Sequence, residues 1–279
     1  LIQILSKSKF GFYFGWSSSG ILLVNWKSIE EITGALETYL QEKYRLFLLR
    51  INFFDEATGE KKFLLDSVSK LRPANFSINS GYTVRFDLAA LTGEPPKNFS
   101  SNHRYYYHKA ISHNLQFEYL SDVDVDRFVR LHNEMTDSKE MDEIKVSHEE
   151  INKLKNFMGS LLAMAVVKSE SEDLAACLIF SNQTHAYYFL ASSGRKGREL
   201  FASFFMIHEL LKYLKASGIK AFDFSGITPF KENAKGVNRF KMGFGGKVVN
   251  YLGERELASH SLLIPFFNVI LKRKLGKAH

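Results

Sequence analysis

Residues 236–246 of the 279-residue chain read GVNRFKMGFGG and combine four glycines, two cations and two phenylalanines. Four glycines disfavour a helix, and a lysine between Phe240 and Met242 is unusual in a simple strand. Arg239 is suited to bind a phosphate, because a guanidinium forms charge-assisted hydrogen bonds with it. Lys241 adds a second cation to the segment. The alternative is a turn into an edge strand that leaves Lys241 in solvent.

Asp223 lies in the apolar run IKAFDFSG (219–226), which predicts a strand. A carboxylate at the end of a strand is placed to accept a proton from an attacking amine. The same carboxylate is equally suited to cap the following turn by accepting hydrogen bonds from backbone amides. Both interpretations stay open from the sequence.

A basic loop, SGRKGRE (193–199), precedes a segment with helical apolar spacing. The amides and cations at such a helix start are suited to bind an anionic group. An ordinary polar loop is the alternative. The residues concerned are Arg195, Lys196 and Gly197.

The sequence lacks the residue spacing that several other kinds of site require. The chain has no P-loop and no G-x-G-x-x-G segment. The segment HEEIN (148–152) has Asn152 where a zinc-binding helix needs its second histidine. His103, His108 and His113 recur every fifth residue, which scatters them around a helix. We therefore expect no metal site.

The composition indicates a globular protein, with 45% hydrophobic and 24% charged residues. The formal net charge of +7 favours an anionic partner such as nucleic acid, phosphate or an acidic lipid surface, although a basic protein without such a partner fits equally well. Cys177 is the single cysteine and lies in the apolar run DLAACLIF, so we expect it in the core. One cysteine forms no internal disulfide, which favours a cytoplasmic location.

The segment TGEPPKNFSSNH (92–103) contains two prolines and many turn formers. We place a boundary there, between an N-terminal domain at 1–100 and a C-terminal domain at 101–279. The patterns after it predict helices at 103–113, 122–136 and 147–159, three strands, the loop at 193–199, a long helix and two further strands.

This order of elements resembles a GNAT-type acyltransferase domain. The first half of the chain resembles a degenerate copy of the same domain. Residues 222–254 resemble the C-terminal signature of the Fem-type peptidyltransferases, which pair two GNAT-like domains. That signature runs Asp-x-x-Gly and then Gly-x-x-x-Phe-Lys-x-x-Phe-Gly. It implies an α/β (α+β) fold of two tandem GNAT-like domains, each with a mixed, mainly antiparallel sheet flanked by helices. The matching positions are Asp223, Gly226, Gly236, Phe240, Lys241, Phe244 and Gly245.

The resemblance implies an aminoacyltransferase that moves an amino acid from aminoacyl-tRNA to an amine of a peptidoglycan precursor, with no metal or other cofactor. Lys241 would stabilise the negative charge on the carbonyl oxygen, and Phe240 and Phe244 would exclude water from it. The glycines would let the donor approach the backbone closely, and Asp223 would accept the proton. Residues 103–120 also fit the start of the family's second domain. The implied substrate-binding residues are Phe240, Arg239, Gly226, Phe244, Arg195, Lys196, Gly197, Arg104 and Lys109.

Two departures from the relatives keep other functions open. GNAT acetyltransferases bind the pyrophosphate of CoA with Arg/Gln-x-x-Gly-x-Gly/Ala, and here Gly197 comes one residue early. Only residues 138–159 stand where longer Fem-type proteins insert a coiled-coil arm. The first alternative is therefore an acyl-CoA-dependent N-acyltransferase, and the second is a non-enzymatic module that binds RNA or membrane. We expect the acceptor in a cleft between the halves, with Arg50, Arg72 and Arg85 as candidates by charge alone.

The end of the sequence, IPFFNVILKRKLGKAH (264–279), is basic and amphipathic. Such a helix is suited to lie on an anionic membrane, and the alternative is that it packs on its own domain. The apolar run 262–271 has about half the length of a membrane span. We expect a cytoplasmic protein, and work at the inner face of the membrane stays open as an alternative.

Overall fold

The computed structural model describes residues 1–9, 11–18, 20–138, 144–170 and 172–275. The chain forms two compact units. The first unit comprises Leu1–Tyr82 with Val249–His279, and the second comprises Thr83–Val248. The chain therefore passes from the first unit into the second after residue 82 and returns to the first unit after residue 248. The sequence suggested a single boundary at residue 100.

In its described residues, the first unit carries a small sheet and the helices α1, α2 and α9. Strand β2 runs parallel to β3 and antiparallel to β1, while β11 runs antiparallel to both β3 and β4. The elements are β1 (Leu5–Lys9), β2 (Phe12–Ser17), α1 (Ile29–Lys43), β3 (Leu46–Glu56), α2 (Gly59–Ser67), β4 (Arg72–Pro73), most of β11 (Lys247–Ala258) and α9 (Leu263–Leu275).

Strand β3 has apolar side chains on one face and a buried charge on the other. Phe47, Leu49, Ile51 and Phe53 alternate along it and form the core of the first unit. Arg50 points to the opposite face and is fully buried. Because it cannot reach a ligand there, Arg50 is removed from the candidates for the acceptor site.

Arg50 is buried together with groups that satisfy its charge. Its Nε donates to Glu256 Oε1 at 3.0 Å, and its Nη1 lies 3.3 Å from Glu254 Oε2. Its Nη2 donates to Asn268 Oδ1 at 2.6 Å, which ties α9 to the sheet. A buried charge needs such partners, because desolvation without them is costly.

The second unit contains the larger sheet, in the order β5-β10-β9-β8-β7-β6. Strands β6 to β9 pair antiparallel with their neighbours, whereas β10 runs parallel to β9. The elements are β5 (Tyr82–Asp87), α3 (Ser101–Ile111), β6 (Gln116–Leu120), α4 (Val125–Asp137), α5 (His148–Met158), β7 (Leu162–Ser169), β8 (Glu172–Ser181), β9 (His185–Ser193), α6 (Arg195–Glu199), α7 (Ala202–Ala216), β10 (Ala221–Ile227) and α8 (Lys235–Met242).

Several sequence predictions for this unit are confirmed. The three predicted strands are β7, β8 and β9, and Cys177 on β8 is fully buried. Burial raises the pKa of its thiol and keeps it neutral. Helix α5 begins at the predicted capping box, where Ser147 and Glu150 bind each other's backbone amides. The mixed α/β fold agrees with the fold class inferred from the sequence.

Two further sequence expectations concern the helix content of residues 236–246 and the relation of the chain to a membrane. The stretch 236–246 was expected to avoid helix, and this is wrong for its first part, because α8 covers Lys235–Met242. In the described ranges no helix is both long enough and apolar enough to cross a bilayer. Of the basic segment 264–279, residues 276–279 lie outside the described part of the chain.

Candidate active site

The candidate site lies where β10 separates from β9. In the described residues, the ladder between these strands ends at Asp223, although β10 continues to Ile227 and β9 to Ser193. Ser225 has a φ of 60°, and its hydroxyl donates a hydrogen bond to the Tyr188 carbonyl across the gap between the two strands. Strands that separate in this way expose groups at their carboxyl ends, where α/β sheets bind ligands.

Asp223 is buried at this point, with only 2% of its surface exposed. Its Oδ1 accepts hydrogen bonds from the Thr83 hydroxyl and, at 2.8 Å, from the Ser225 amide. Its Oδ2 accepts no hydrogen bond within the described part of the chain and lies 3.6 Å from Arg85 Nε. One oxygen therefore caps the turn, as one interpretation of the sequence required, and the other keeps its lone pairs available.

Lys241 extends from α8 toward the same strand end. Its Nζ donates to the Gly226 carbonyl at 2.8 Å. Removal from water lowers the pKa of Lys241 to about 8, and the negative charge of Asp223 opposes part of this shift. The site therefore holds an ammonium group that loses its proton more readily than an ordinary lysine, and a carboxylate whose charge acts on that ammonium group.

The two phenylalanines beside Lys241 have different positions. Phe240 is half-buried and lines a cavity, whereas Phe244 is 1% exposed and stacks on Phe224 with 5.3 Å between ring centroids. The rings of Phe240 and Phe244 are 5.1 Å apart and nearly perpendicular. The structure thus places Phe240 at the cavity and Phe244 in the core that supports it.

His103 fixes the backbone of α8 next to Lys241. Its Nε2 lies 2.8 Å from the Phe240 carbonyl and its Nδ1 lies 2.9 Å from the Ser100 hydroxyl. Burial lowers the pKa of His103, so the ring is kept neutral. Sequence reasoning treated His103 as an ordinary histidine, because its partner on α8 is distant in the sequence.

Three glycines after α8 make room for the protein's own atoms. A Cβ atom on Gly243 would lie 2.0 Å from His103 Cε1, and one on Gly245 would lie 2.1 Å from the Asn98 carbonyl oxygen. A Cβ atom on Gly246 would lie 2.7 Å from Val84 Cγ1. The interpretation that the glycines admit a donor therefore does not hold for these three, whose role is close packing.

Replacing Gly243 by alanine is expected to lower the free energy of unfolding by about 1–3 kcal/mol, the usual cost of added volume in a packed core. Gly236 supplies the control, because a Cβ atom there meets nothing within 4 Å. Gly236→Ala should be neutral or stabilise by up to about 1 kcal/mol, since alanine favours the helix. Urea unfolding followed by circular dichroism measures both variants. Equal effects would contradict the packing role of Gly243.

A cavity of about 420 Å³ lies beside the separated strand β9 and helix α7. Its wall combines five aromatic rings with three serine hydroxyls. The Ser192 hydroxyl is buried and has no hydrogen-bond partner among the described residues. Phe240, one of the lining residues, directly precedes Lys241 in α8. The lining residues are Tyr106, Met135, Tyr188, Ala191, Ser192, Ser193, Gly197, Arg198, Phe201, Ser203, Phe204 and Phe240.

The sequence pattern of the FemAB family matches residues 124–272, which is more than half of the chain and includes Asp223 and Lys241. The chain belongs to the FemAB family. No curated protein sequence matches it. Family and fold together indicate an acyltransferase with a GNAT-like fold.

Solved structures share the fold of this FemAB-family chain at low sequence identity. FemX has a TM-score of 0.74 at 13% identity, over 96% of this chain and 86% of FemX. L-PGS from Bacillus licheniformis has a TM-score of 0.58 at 15% identity, over 97% and 84% of the two chains. A tandem GNAT protein from the clavulanic acid biosynthesis pathway has a TM-score of 0.51 at 9% identity, over 88% and 75%.

The predicted basic loop of this FemAB-family protein folds as the short helix α6, and its cations are paired. Arg195 Nε lies 3.1 Å from Glu199, and Lys196 Nζ lies 2.5 Å from Glu172. Gly197 lines the cavity, but a Cβ atom there would lie 1.9 Å from the Leu174 carbonyl oxygen. Arg198, which sequence reasoning did not select, is the basic residue of this helix that lines the cavity.

The remaining predicted binding residues lie outside the cavity wall. Arg104 Nη1 donates to the Lys97 carbonyl at 3.3 Å, and the Lys109 ammonium lies over the Tyr105 ring. Arg239 is exposed on α8. These three cations therefore remain candidates for contacts with a large anionic substrate at the surface.

A second cluster of ionisable groups lies apart from Lys241. Ligand atoms of Glu94, His208 and Glu209 all lie within 4.8 Å of one another. Lys212 Nζ lies 2.9 Å from Glu94 Oε1 and 3.4 Å from Glu209 Oε2. The ammonium already supplies the positive charge that these carboxylates require, so we assign the cluster a structural role.

Proposed function

We propose that this FemAB-family protein is an aminoacyltransferase that moves an amino acid from aminoacyl-tRNA to an amine of a cell-wall precursor peptide. The observation that carries the proposal is the convergence of Lys241 and Asp223 where β10 leaves β9. We place the reaction in the cytoplasm at the inner face of the membrane. This protein needs no cofactor in the proposed reaction.

The proposed step is attack of the amine nitrogen on the ester carbonyl carbon. The new carbon–nitrogen bond forms as the ester carbon–oxygen bond breaks, and the terminal hydroxyl of the tRNA leaves. Asp223 takes the proton from the amine and returns it to the leaving oxygen through Oδ2, the oxygen without a hydrogen bond. Lys241 stabilises the charge on the carbonyl oxygen.

The cavity fits the donor end of this reaction. Its aromatic rings offer faces on which a base can stack, and the Ser192 hydroxyl offers an unused hydrogen-bonding group. Phe240 of the cavity wall directly precedes Lys241 in α8, and in this proposal the donor extends from the cavity past Phe240 to bring its ester to the ammonium group. The acyl-CoA alternative is disfavoured by the sequence of α6, where Gly197 comes one residue earlier than in the acetyltransferase pattern.

The proposal is tested by titrating the protein with charged tRNA and with acetyl-CoA at two salt concentrations. We expect tRNA binding that weakens as salt increases, because phosphate contacts release counterions. We expect no saturable binding of acetyl-CoA. Micromolar acetyl-CoA binding with only weak, nonspecific tRNA binding would instead identify an acyl-CoA-dependent enzyme. Tight tRNA binding without transfer of the amino acid to any amine would identify a binding module.

A further inference from the structure

Helix α9 (Leu263–Leu275) is fixed to the first unit by one of its faces. Ile264 is buried, and Phe267 stacks between Phe12 and Phe14 at centroid distances of 4.8 and 4.9 Å. On the same side, Asn268 accepts a hydrogen bond from buried Arg50 at 2.6 Å. These contacts determine how the helix is rotated about its axis, and so they determine which residues point outward.

The outward face of α9 carries large apolar side chains. Phe266 is 64% exposed and Val269 52%, and Leu262, which directly precedes the helix, is 81% exposed. Residues spaced by three and then four positions share one face of a helix, so Phe266, Val269 and Arg273 lie on one face of α9, and Leu262 stands four positions before Phe266 in the turn that leads into the helix. We call Leu262, Phe266, Val269 and Arg273 the outer stripe. Among the described residues, none covers enough of it to bury these side chains.

The charged residues of α9 itself are all basic. The sequence has no Asp or Glu after Glu256, and it carries Lys272 and Arg273 at the end of α9. Strand β1 adds a further cation on the same side of the sheet. Lys7 pairs with Phe14 across the β1–β2 ladder, so it shares the face on which Phe267 stacks, and it is exposed.

We propose that the outer stripe docks this protein on the surface of an anionic lipid bilayer. A helix with an exposed apolar face and flanking cations lies in the plane of a membrane, with its apolar side chains at the boundary between headgroups and acyl chains. The cations then lie near lipid phosphates. An RNA partner fits the stripe less well, because Leu262 and Val269 provide no ring for a base to stack on.

The test is co-sedimentation of the whole protein with vesicles, and it requires no substrate. One set of vesicles contains phosphatidylcholine alone, and the other also contains phosphatidylglycerol. We expect binding to the anionic vesicles, weaker binding to the neutral ones, and a decrease as salt increases. Absence of binding to both kinds of vesicle would overturn the proposal. Because binding is measured without transfer, the result is independent of the proposed function.

Variants of exposed residues locate the docking surface. The double change Phe266→Ser and Val269→Ser should weaken partitioning into anionic vesicles about tenfold or more, since two apolar side chains no longer enter the interface. Arg273→Gln should weaken it about fivefold, the equivalent of about 1 kcal/mol for one surface cation. The matched control is Phe63→Ser on α2, a residue that is 73% exposed in the same unit, and we expect it to bind like the unchanged protein.

Three outcomes would overturn the assignment. The first is equal partitioning by the double variant and the Phe63→Ser control. The second is that Arg273→Gln weakens binding to an RNA oligonucleotide while vesicle binding is unchanged. The third is a dimer of the unchanged protein, seen by light scattering, that the double variant abolishes, which would make the stripe a contact between two copies.

Discussion

Lys241→Met is expected to lower kcat for aminoacyl transfer about 100- to 1000-fold, the usual effect of removing one stabilising contact to an oxyanion. Charged tRNA should still bind with nearly unchanged affinity, because the charge on the carbonyl oxygen exists only in the transition state. Single-turnover transfer from charged tRNA to an amine-bearing precursor peptide measures kcat. Lys235→Met is the control, since Lys235 lies on the same helix and pairs with Glu232 at the surface.

The pH dependence gives this prediction a second readout. The pKa of Lys241 is about 8, so its ammonium loses its proton as the pH rises through that value. The rate should therefore decrease above about pH 8 if the cation is required. Lys241→Arg keeps its charge at all these pH values, so it should retain partial activity and lose the decrease. A rate for Lys241→Met close to that of the unchanged protein would exclude Lys241 from the reaction.

Local sequence patterns predicted those elements whose causes are local. The strands β7 and β8 are apolar runs that are buried over most of their length, whereas β9 is a mixed run with three buried positions. The capping box of α5 involves residues three positions apart. In each case, the interactions that form the element are contained within a few neighbouring residues, so periodicity and capping patterns were sufficient.

Helix α8 was not predicted, because distant residues hold it in place. The Asn238 side chain binds both the amide and the carbonyl of Thr228, at 3.1 and 2.8 Å. His103 contacts the Phe240 carbonyl from a helix that lies 137 residues earlier in the sequence. Helix propensity describes neither contact, and tertiary contacts of this kind commonly override it.

In the candidate site, too, the residues within one continuous segment were predicted and those contributed by a distant strand were not. Asp223 and Lys241 were found through a resemblance in one continuous segment. Thr83 and Arg85, which contact the Asp223 carboxylate, belong to β5 and were not assigned to it. One signal was present, since Thr83 and Arg85 are two residues apart in an alternating strand and therefore share a face. The sequence did not indicate which strand would lie beside that face.

Asp223 and Lys241 influence each other through their charges. Burial lowers the pKa of Lys241, and the Asp223 carboxylate opposes part of this shift. Asp223 therefore acts in two ways in the proposed mechanism. It accepts the proton of the amine, and it keeps Lys241 protonated near neutral pH, when the ammonium is needed. Removal of the carboxylate should affect both the rate and its pH dependence.

Asp223→Asn is accordingly expected to lower kcat about 100- to 10,000-fold, the range that general acid–base catalysis contributes. The asparagine oxygen can still accept the hydrogen bonds from Thr83 and the Ser225 amide, so the turn should persist. The decrease in rate at alkaline pH should begin below about pH 8, because the lost carboxylate no longer raises the pKa of Lys241. Initial rates from about pH 6 to 9 measure both effects.

Asp87→Asn distinguishes this role from simple turn capping. The Asp87 carboxylate caps its own turn by accepting a hydrogen bond from the Ala89 amide at 2.9 Å, and it lies on the same strand as Thr83 and Arg85. We expect Asp87→Asn to change stability slightly and kcat not at all. If Asp223→Asn lowers the melting temperature but leaves both kcat and its pH dependence unchanged, Asp223 is a structural residue and the amine must lose its proton elsewhere.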